Sequence, residues 1–227
     1  MICYNGRMNP VLKRILTALT TAALVVLAII HLPTKALPPI FSVLMALAIL
    51  EFALLLKKKV PLVSARGIFG LVLGFLIITG GLSALPASAV LTKSNLWMLY
   101  LIAIVKFSDM GGFAFGMLSA KLMKGGNHKL CPTISPNKSW EGLFGSVLAS
   151  GVMSCAWMSF THFGIGRALA FGVAAALVGT FGDLVESKFK RWVGVKDSAT
   201  FMPAGLGGFL DMFDSLLFAP AVLLPFV

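Results

Sequence analysis

Apolar runs of roughly 18 to 20 residues recur along the chain, separated by short loops that hold most of the charge. They lie at Ile15 to Leu32, Pro38 to Leu56, Gly67 to Leu85, Leu96 to Phe115, Leu143 to Phe163, Ala168 to Val185 and Phe209 to Val227. A helix rises about 1.5 Å per residue, so each run is long enough to cross about 30 Å of hydrocarbon. Polar and apolar residues do not alternate within the runs as in a membrane barrel, and an open sheet would leave backbone groups unpaired in lipid. The pattern predicts an all-α fold, a polytopic transmembrane bundle of about seven spans. The first run follows Lys13 and Arg14 as a secretory signal would, but no small-x-small cleavage site follows it. Pro33 and Lys35 lead straight into the next span, so a retained helix is expected. Without a linker or internal repeat, 1–227 reads as a single integral membrane domain.

Composition agrees with this reading. Of 227 residues 58% are hydrophobic and 12% charged, with a mean hydropathy of +0.95, which excludes an ordinary soluble domain. Cys3, Cys131 and Cys155 have neither the number for a disulfide framework nor metal-ligand spacing. The net charge of +11 raises nucleic-acid binding as a function, but the cations are distributed by loop rather than gathered on one arm, so no nucleic-acid partner is expected. Arg7, Lys13 and Arg14 precede the first span. Lys57, Lys58, Lys59 and Arg66 follow the second, Lys121, Lys124, Lys129 and Lys138 the fourth, and Lys188, Lys190, Arg191 and Lys196 the sixth. The alternate loops carry only Lys35, Lys93 and Arg167, and Lys106 lies inside span 4. The positive-inside rule then puts the N-terminus in the cytoplasm.

All eight acids fall toward that same side: Glu51, Asp109, Glu141, Asp183, Glu186, Asp197, Asp211 and Asp214. Carboxylates at a membrane edge need a compensating partner. Asp183 and Glu186, and again Asp211 and Asp214, are three apart and share a helix face, so two acid pairs can meet across the loop between spans 6 and 7. Such a cluster repels itself unless protonated or bridged, and a hard divalent ion such as Mg²⁺ is the usual bridge. Lys188, Lys190, Arg191 and Lys196 add the opposite sign, and the tract Gly205 to Gly208 adds backbone N–H groups at a helix start. Metal ligands beside cations suit chemistry on a polyphosphate, which is mostly positioning and charge neutralisation. Each feature also has a plainer reading: the basic loop as a topology signal, the paired acids as a helix start favoured by its dipole, and Lys106 as a partner that neutralises Asp109. In CPTISPNKSWEG, Ser139 before Glu141 and Gly142 is ordinary helix-start chemistry.

Together these residues resemble the phosphatidate cytidylyltransferase family, membrane enzymes that make CDP-diacylglycerol from CTP and phosphatidic acid. The C-terminal signature of that family is matched in order by Ser187, Lys190, Arg191, Lys196, Asp197, Pro203, Gly205, Gly207, Gly208, Asp211 and Asp214. Gly182, Asp183, Glu186 and Ser187 match its G-D-x-x-E-S stretch, ISPNKSWEG its S-P-x-K-[ST]-x-E-G element, and Asp109 with Gly111 its Asp-containing span. The resemblance is close over about 96–220. Leu206 and Met212 stand where the signature has His and Arg, and one extra residue separates Pro203 from the glycines.

The resemblance implies a Mg²⁺-dependent nucleotidyltransferase, with a second cation left open. Asp183, Asp211 and Asp214 are expected as metal ligands, with Lys190 and Arg191 completing the catalytic set. Asp109, Ser135, Lys138, Glu141, Ser187, Lys196, Asp197, Gly207 and Gly208 are expected to contact substrate. Expected partners are CTP, phosphatidic acid and the membrane lipid. The expected location is an inner, plasma-type membrane with the site facing the cytoplasm. A CTP-dependent enzyme acting on an isoprenoid or ether lipid, and an ion-coupled transporter, are the alternatives. GLVLG, Gly70 to Gly74, has close-packing spacing that fits contacts within one chain and leaves a homodimer open.

Overall fold

The structure, a computed structural model, describes residues 20, 23–124, 126–195, 198 and 208–226. A helical stretch over 23–31 leads through Pro33 and a 3-10 turn, Thr34–Ala36, into α1 (Leu37–Lys57), α2 (Ala65–Thr92) and α3 (Asn95–Leu122). An antiparallel hairpin, β1 (Lys129–Cys131) with β2 (Ser135–Ser139), is followed by α4 (Trp140–Ala156), α5 (Met158–Thr161) and α6 (Ile165–Val193). Short pieces complete the described chain: α7 (Phe209–Phe213), a 3-10 turn over Ser215–Leu217, α8 (Ala219–Leu223) and a 3-10 turn over Leu224–Phe226.

Local chemistry sets the helix ends. Pro38 and Pro39 occupy the first turn of α1, where a missing N–H costs no helical bond. Ser64, Ser94 and Ser139 are N-caps whose hydroxyls accept from Gly67 N at 3.1 Å, Leu96 N at 3.3 Å and Gly142 N at 3.0 Å. At its far end α6 stops at Gly194, whose φ of +87° suits glycine, with Val195 N donating back to Lys190 O at 2.9 Å. Asn95 donates to the carbonyls of Ile29 and Leu32 at 2.7 and 2.8 Å, fastening the end of the first helix to the start of α3.

Four helical segments among the described residues are long and apolar enough to cross a membrane: Thr34–Lys57, Ala65–Thr92, Asn95–Leu122 and Ile165–Val193. Their outward faces carry large apolar side chains such as Phe69, Leu76, Phe113 and Phe181, as expected where lipid replaces water. One buried cluster gathers the first halves of α3 and α6 around Tyr100, Ile104, Phe171 and Ala175. A second joins α1 and α2 to the C-terminal pieces through Leu55, Ile78, Leu82, Leu210 and Leu217. Glycines bring α3 against α4: a Cβ on Gly111 would run into Gly145 O and Ala149, and one on Gly145 into Gly111 O. Gly70 and Gly74 face Leu56 and Phe52 of α1, a contact within one chain.

The structure corrects four features of the sequence reading. The run Leu143 to Phe163 is divided, α4 ending at Ala156 and α5 covering only Met158–Thr161. The run from Phe209 is broken rather than one helix: Asp214 takes Ser215 N on its side chain at 2.6 Å, and Pro220 and Pro225 withhold donors. Asp109 and Asp183 lie inside their helices rather than at the ends, because α3 and α6 continue about three further turns. Helix α2 likewise runs past buried Pro86 to Thr92 instead of stopping at Leu85.

Candidate active site

On α6, Asp183, Glu186, Ser187 and Lys190 follow the i, i+3, i+4, i+7 spacing of one face. Two distinct arrangements form there. In the first, Lys190 Nζ lies 2.6 Å from Glu186 Oε2 and 2.6 Å from Asp211 Oδ1, with side chains 12%, 5% and 17% exposed. The other oxygen of Asp211 accepts from Gly208 N and Ser198 N, each at 2.9 Å. Both Asp211 oxygens are thus engaged. Glu51 of α1, fully buried, accepts from Leu210 N at 2.9 Å and from Ser198 Oγ at 3.4 Å. A side chain at Gly208 would collide with Ser198 Oγ and the Glu51 carboxylate, so this close approach requires glycine.

The second arrangement opens onto a cavity of about 270 Å³ between α3, the hairpin, α4 and α6. Lys138 of β2 donates to Asp183 Oδ2 at 2.8 Å and to Thr180 O at 3.3 Å. Asp183 Oδ1 is buried and, like Glu186 Oε1 in the first arrangement, has no hydrogen-bond partner among the described residues. Asp109, Ser135, Asn137 and Ser146 also line this space. One turn before Asp109 on α3, Lys106 reaches Asp109 at 3.4 Å, Ser215 Oγ at 3.0 Å and Met212 O at 3.4 Å, while Ser215 Oγ donates to Asp109 Oδ2 at 2.9 Å. Asp183 interacts electrostatically with Asp214 and Asp109, so three carboxylates share one region with Lys106 and Lys138. The two acid pairs expected to meet across the loop do meet. Asp109 interacts with Asp183 and Asp214, whereas Asp211 pairs with Lys190.

The remaining predicted residues divide. Ser135 and Lys138 face the cavity, and Gly208 N–H holds Asp211. Ser187 lies on the same face of α6, its side chain without a hydrogen bond among the described residues, and Arg191 is exposed, donating to Val195 O at 3.3 Å. Glu141 turns to the hairpin, where His128 Nδ1 lies 2.6 Å away and His128 N donates at 3.1 Å. This hydrogen bonding holds the Glu141 carboxyl well below its usual range, at about 2. Lys196, Asp197, Pro203, Gly205, Leu206 and Gly207 lie outside the described residues. Sequence reasoning assigned no role to Glu51, although a lone acid in an apolar run is itself a signal. Ser215 and Asn137 gave none.

Among the described residues, no three His, Cys, Asp or Glu side chains converge into a preformed metal cage. Mg²⁺ needs none, since it is commonly held by one or two carboxylates together with substrate phosphates. The unpartnered Asp183 Oδ1 beside Asp214 and Asp109 is a hard-oxygen donor set that fits such an ion.

A family model described as the cytidylyltransferase family matches residues 6–227. Phosphatidate cytidylyltransferases of Staphylococcus aureus (strain COL), Staphylococcus epidermidis (strain ATCC 12228) and Staphylococcus saprophyticus are 44%, 43% and 41% identical to the chain over 124 residues. The aligned part is 54% of this chain and 45% of each relative, so the match covers less than half the length of those curated relatives. With a whole-chain family match and a bundle of long apolar helices, the protein is an integral membrane protein that belongs to the cytidylyltransferase family.

Proposed function

We propose that the protein transfers CMP from CTP to phosphatidic acid, giving CDP-diacylglycerol and pyrophosphate. The observation that carries this reading is the Lys138–Asp183 pair at the cavity, with one Asp183 oxygen buried and unsatisfied next to Asp109 and Asp214. A phosphate oxygen of the lipid bonds to the α-phosphorus of CTP, and the bond from that phosphorus to the departing pyrophosphate breaks. Lys138 faces the cavity and supplies positive charge to the incoming triphosphate, while Ser135 and Asn137 offer polar contacts from the hairpin. Asp183 and Asp214 are the proposed Mg²⁺ holders, with Asp109 beside them. Asp211 is instead committed to Lys190 and to two backbone N–H groups. When bound, Mg²⁺ neutralises phosphate charge and improves the leaving group. Lys190 positions α7 by tying Asp211 to α6. No covalent nucleophile is required.

The proposed setting is an inner, plasma-type membrane with the N-terminus and the site on the cytoplasmic side, where CTP is found and the loop cations lie. Purified protein given radiolabelled CTP, phosphatidic acid and Mg²⁺ should form a CDP-lipid. Folded protein that forms none would sink the assignment. Product only with an isoprenoid alcohol or an ether lipid would move the substrate within the family.

A further inference from the structure

A second cavity lies away from the acids of the Lys138 site. It is a groove of about 530 Å³ between α1, α2 and α6, floored by Leu210 and Leu217, and its walls include Phe52, Leu73, Ile77 and Phe189. That volume suits a small-molecule site of ~300–1,000 Å³. Along α2 it extends from Arg66 to Ile78, about 18 Å of helix. One leaflet of hydrocarbon is about 15 Å deep, half of the ~30 Å core. Lys59 and Arg66 line the mouth together with Trp192, and all three are exposed. Neither cation forms an ion pair among the described residues. Loop cations alone signal only topology. Here two unpaired cations and an interfacial tryptophan stand over an apolar slot one leaflet deep, which complements an anionic head on a hydrocarbon tail. Glu186 lines the same groove and binds Lys190, so the slot adjoins the residues that hold Asp211.

We propose that this groove receives an acyl chain of the phosphatidic acid substrate, with Lys59 and Arg66 at its mouth attracting the lipid phosphate. The proposal rests on the cytidylyltransferase reading above and adds the place where the lipid tail is held. Two consequences separate it from general contact with lipid. Filling the groove penalises long-chain substrates only, and removing the cations raises the KM for phosphatidic acid without altering that for CTP.

The test uses the full-length protein in lipid nanodiscs with a phosphatidic acid carrying a diazirine at mid-chain. Light should label α2 around Leu73 and Ile77, excess unlabelled dioleoyl phosphatidic acid should suppress that labelling, and equal dioleoyl phosphatidylcholine should not. Suppression by both lipids alike, or labelling only elsewhere, would overturn the groove. In detergent, Leu73→Trp should lower kcat/KM for dioleoyl phosphatidic acid about tenfold and leave that for dihexanoyl phosphatidic acid within about twofold. An equal loss for both, or none, also overturns it. If wild type is labelled as expected yet makes no CDP-lipid from any phosphatidic acid, the reaction assignment fails and the groove stands. Product without selective labelling sinks the groove alone.

Discussion

Lys190 and Lys138 both meet acids of α6, yet their surroundings differ. Lys190 is clamped between Glu186 and Asp211, and Asp211 is further held by Ser198 and Gly208, so both Asp211 oxygens are engaged and only Glu186 Oε1 is left without a partner among the described residues. Lys138 meets a single carboxylate at the wall of a cavity and leaves Asp183 Oδ1 unsatisfied. A closed ion network holds a fold together, whereas an open one has capacity left for a ligand. The difference distinguishes Asp211, bound on both oxygens, from Asp183, with one oxygen left open at a cavity, a division that matching to the family signature does not make.

The largest effect expected is from breaking the closed network. Lys190→Met leaves the carboxylates of Glu186 and Asp211 facing each other without their cation and should cost about 3–5 kcal/mol. Thermal unfolding in detergent should show it, with activity lost alongside; unchanged stability would make the network incidental. Asp183→Asn, by contrast, should leave unfolding nearly unchanged while lowering kcat by about 10²–10³-fold, the scale for losing one preorganised electrostatic contact. A variant that unfolds as readily as Lys190→Met would erase the distinction. Glu51→Ala removes the acceptor of Leu210 N and should cost roughly 1–3 kcal/mol, with Glu51→Gln recovering most of it. The measurement is unfolding of both variants side by side.

The smallest effect concerns the hairpin. Glu141 has a folded value near 2 against an ordinary 4.5, so its bond to His128 contributes fully above about 4.5 and is lost as pH falls toward 2. Protection of the His128 amide, its exchange rate divided into the intrinsic rate at each pH, should hold above about pH 5 and fall below about 4, and Glu141→Gln should remove that fall. A fall that persists in the Gln variant would assign it to another group.

The spans were legible because lipid-facing helices need long apolar runs, and α1, α2, α3 and α6 each contain the run read for them. Their far ends were not. Helix α6 continues through Ser187, Lys188, Lys190 and Arg191, where hydropathy falls although the helix persists, and only Gly194 marked its stop. The broken C-terminal segment could have been read from Pro220 and Pro225. In the site, i, i+3 spacing foretold which acids share a face. Which lysine each acid meets depends on contacts such as Lys106 with Ser215 and Glu51 with Leu210, more than 100 residues apart, and no local pattern encodes those. Asp211 was grouped with Asp183 by the signature, and the pair it forms with Lys190 was not legible there.

The most direct test places wild type, Asp183→Asn and Lys190→Met in one experiment that records CDP-lipid formation from CTP and phosphatidic acid with Mg²⁺, and thermal unfolding of the same preparations. The account predicts product and a stable fold for wild type, a stable fold without appreciable product for Asp183→Asn, and loss of both for Lys190→Met. Product from Asp183→Asn at the wild-type rate would contradict it.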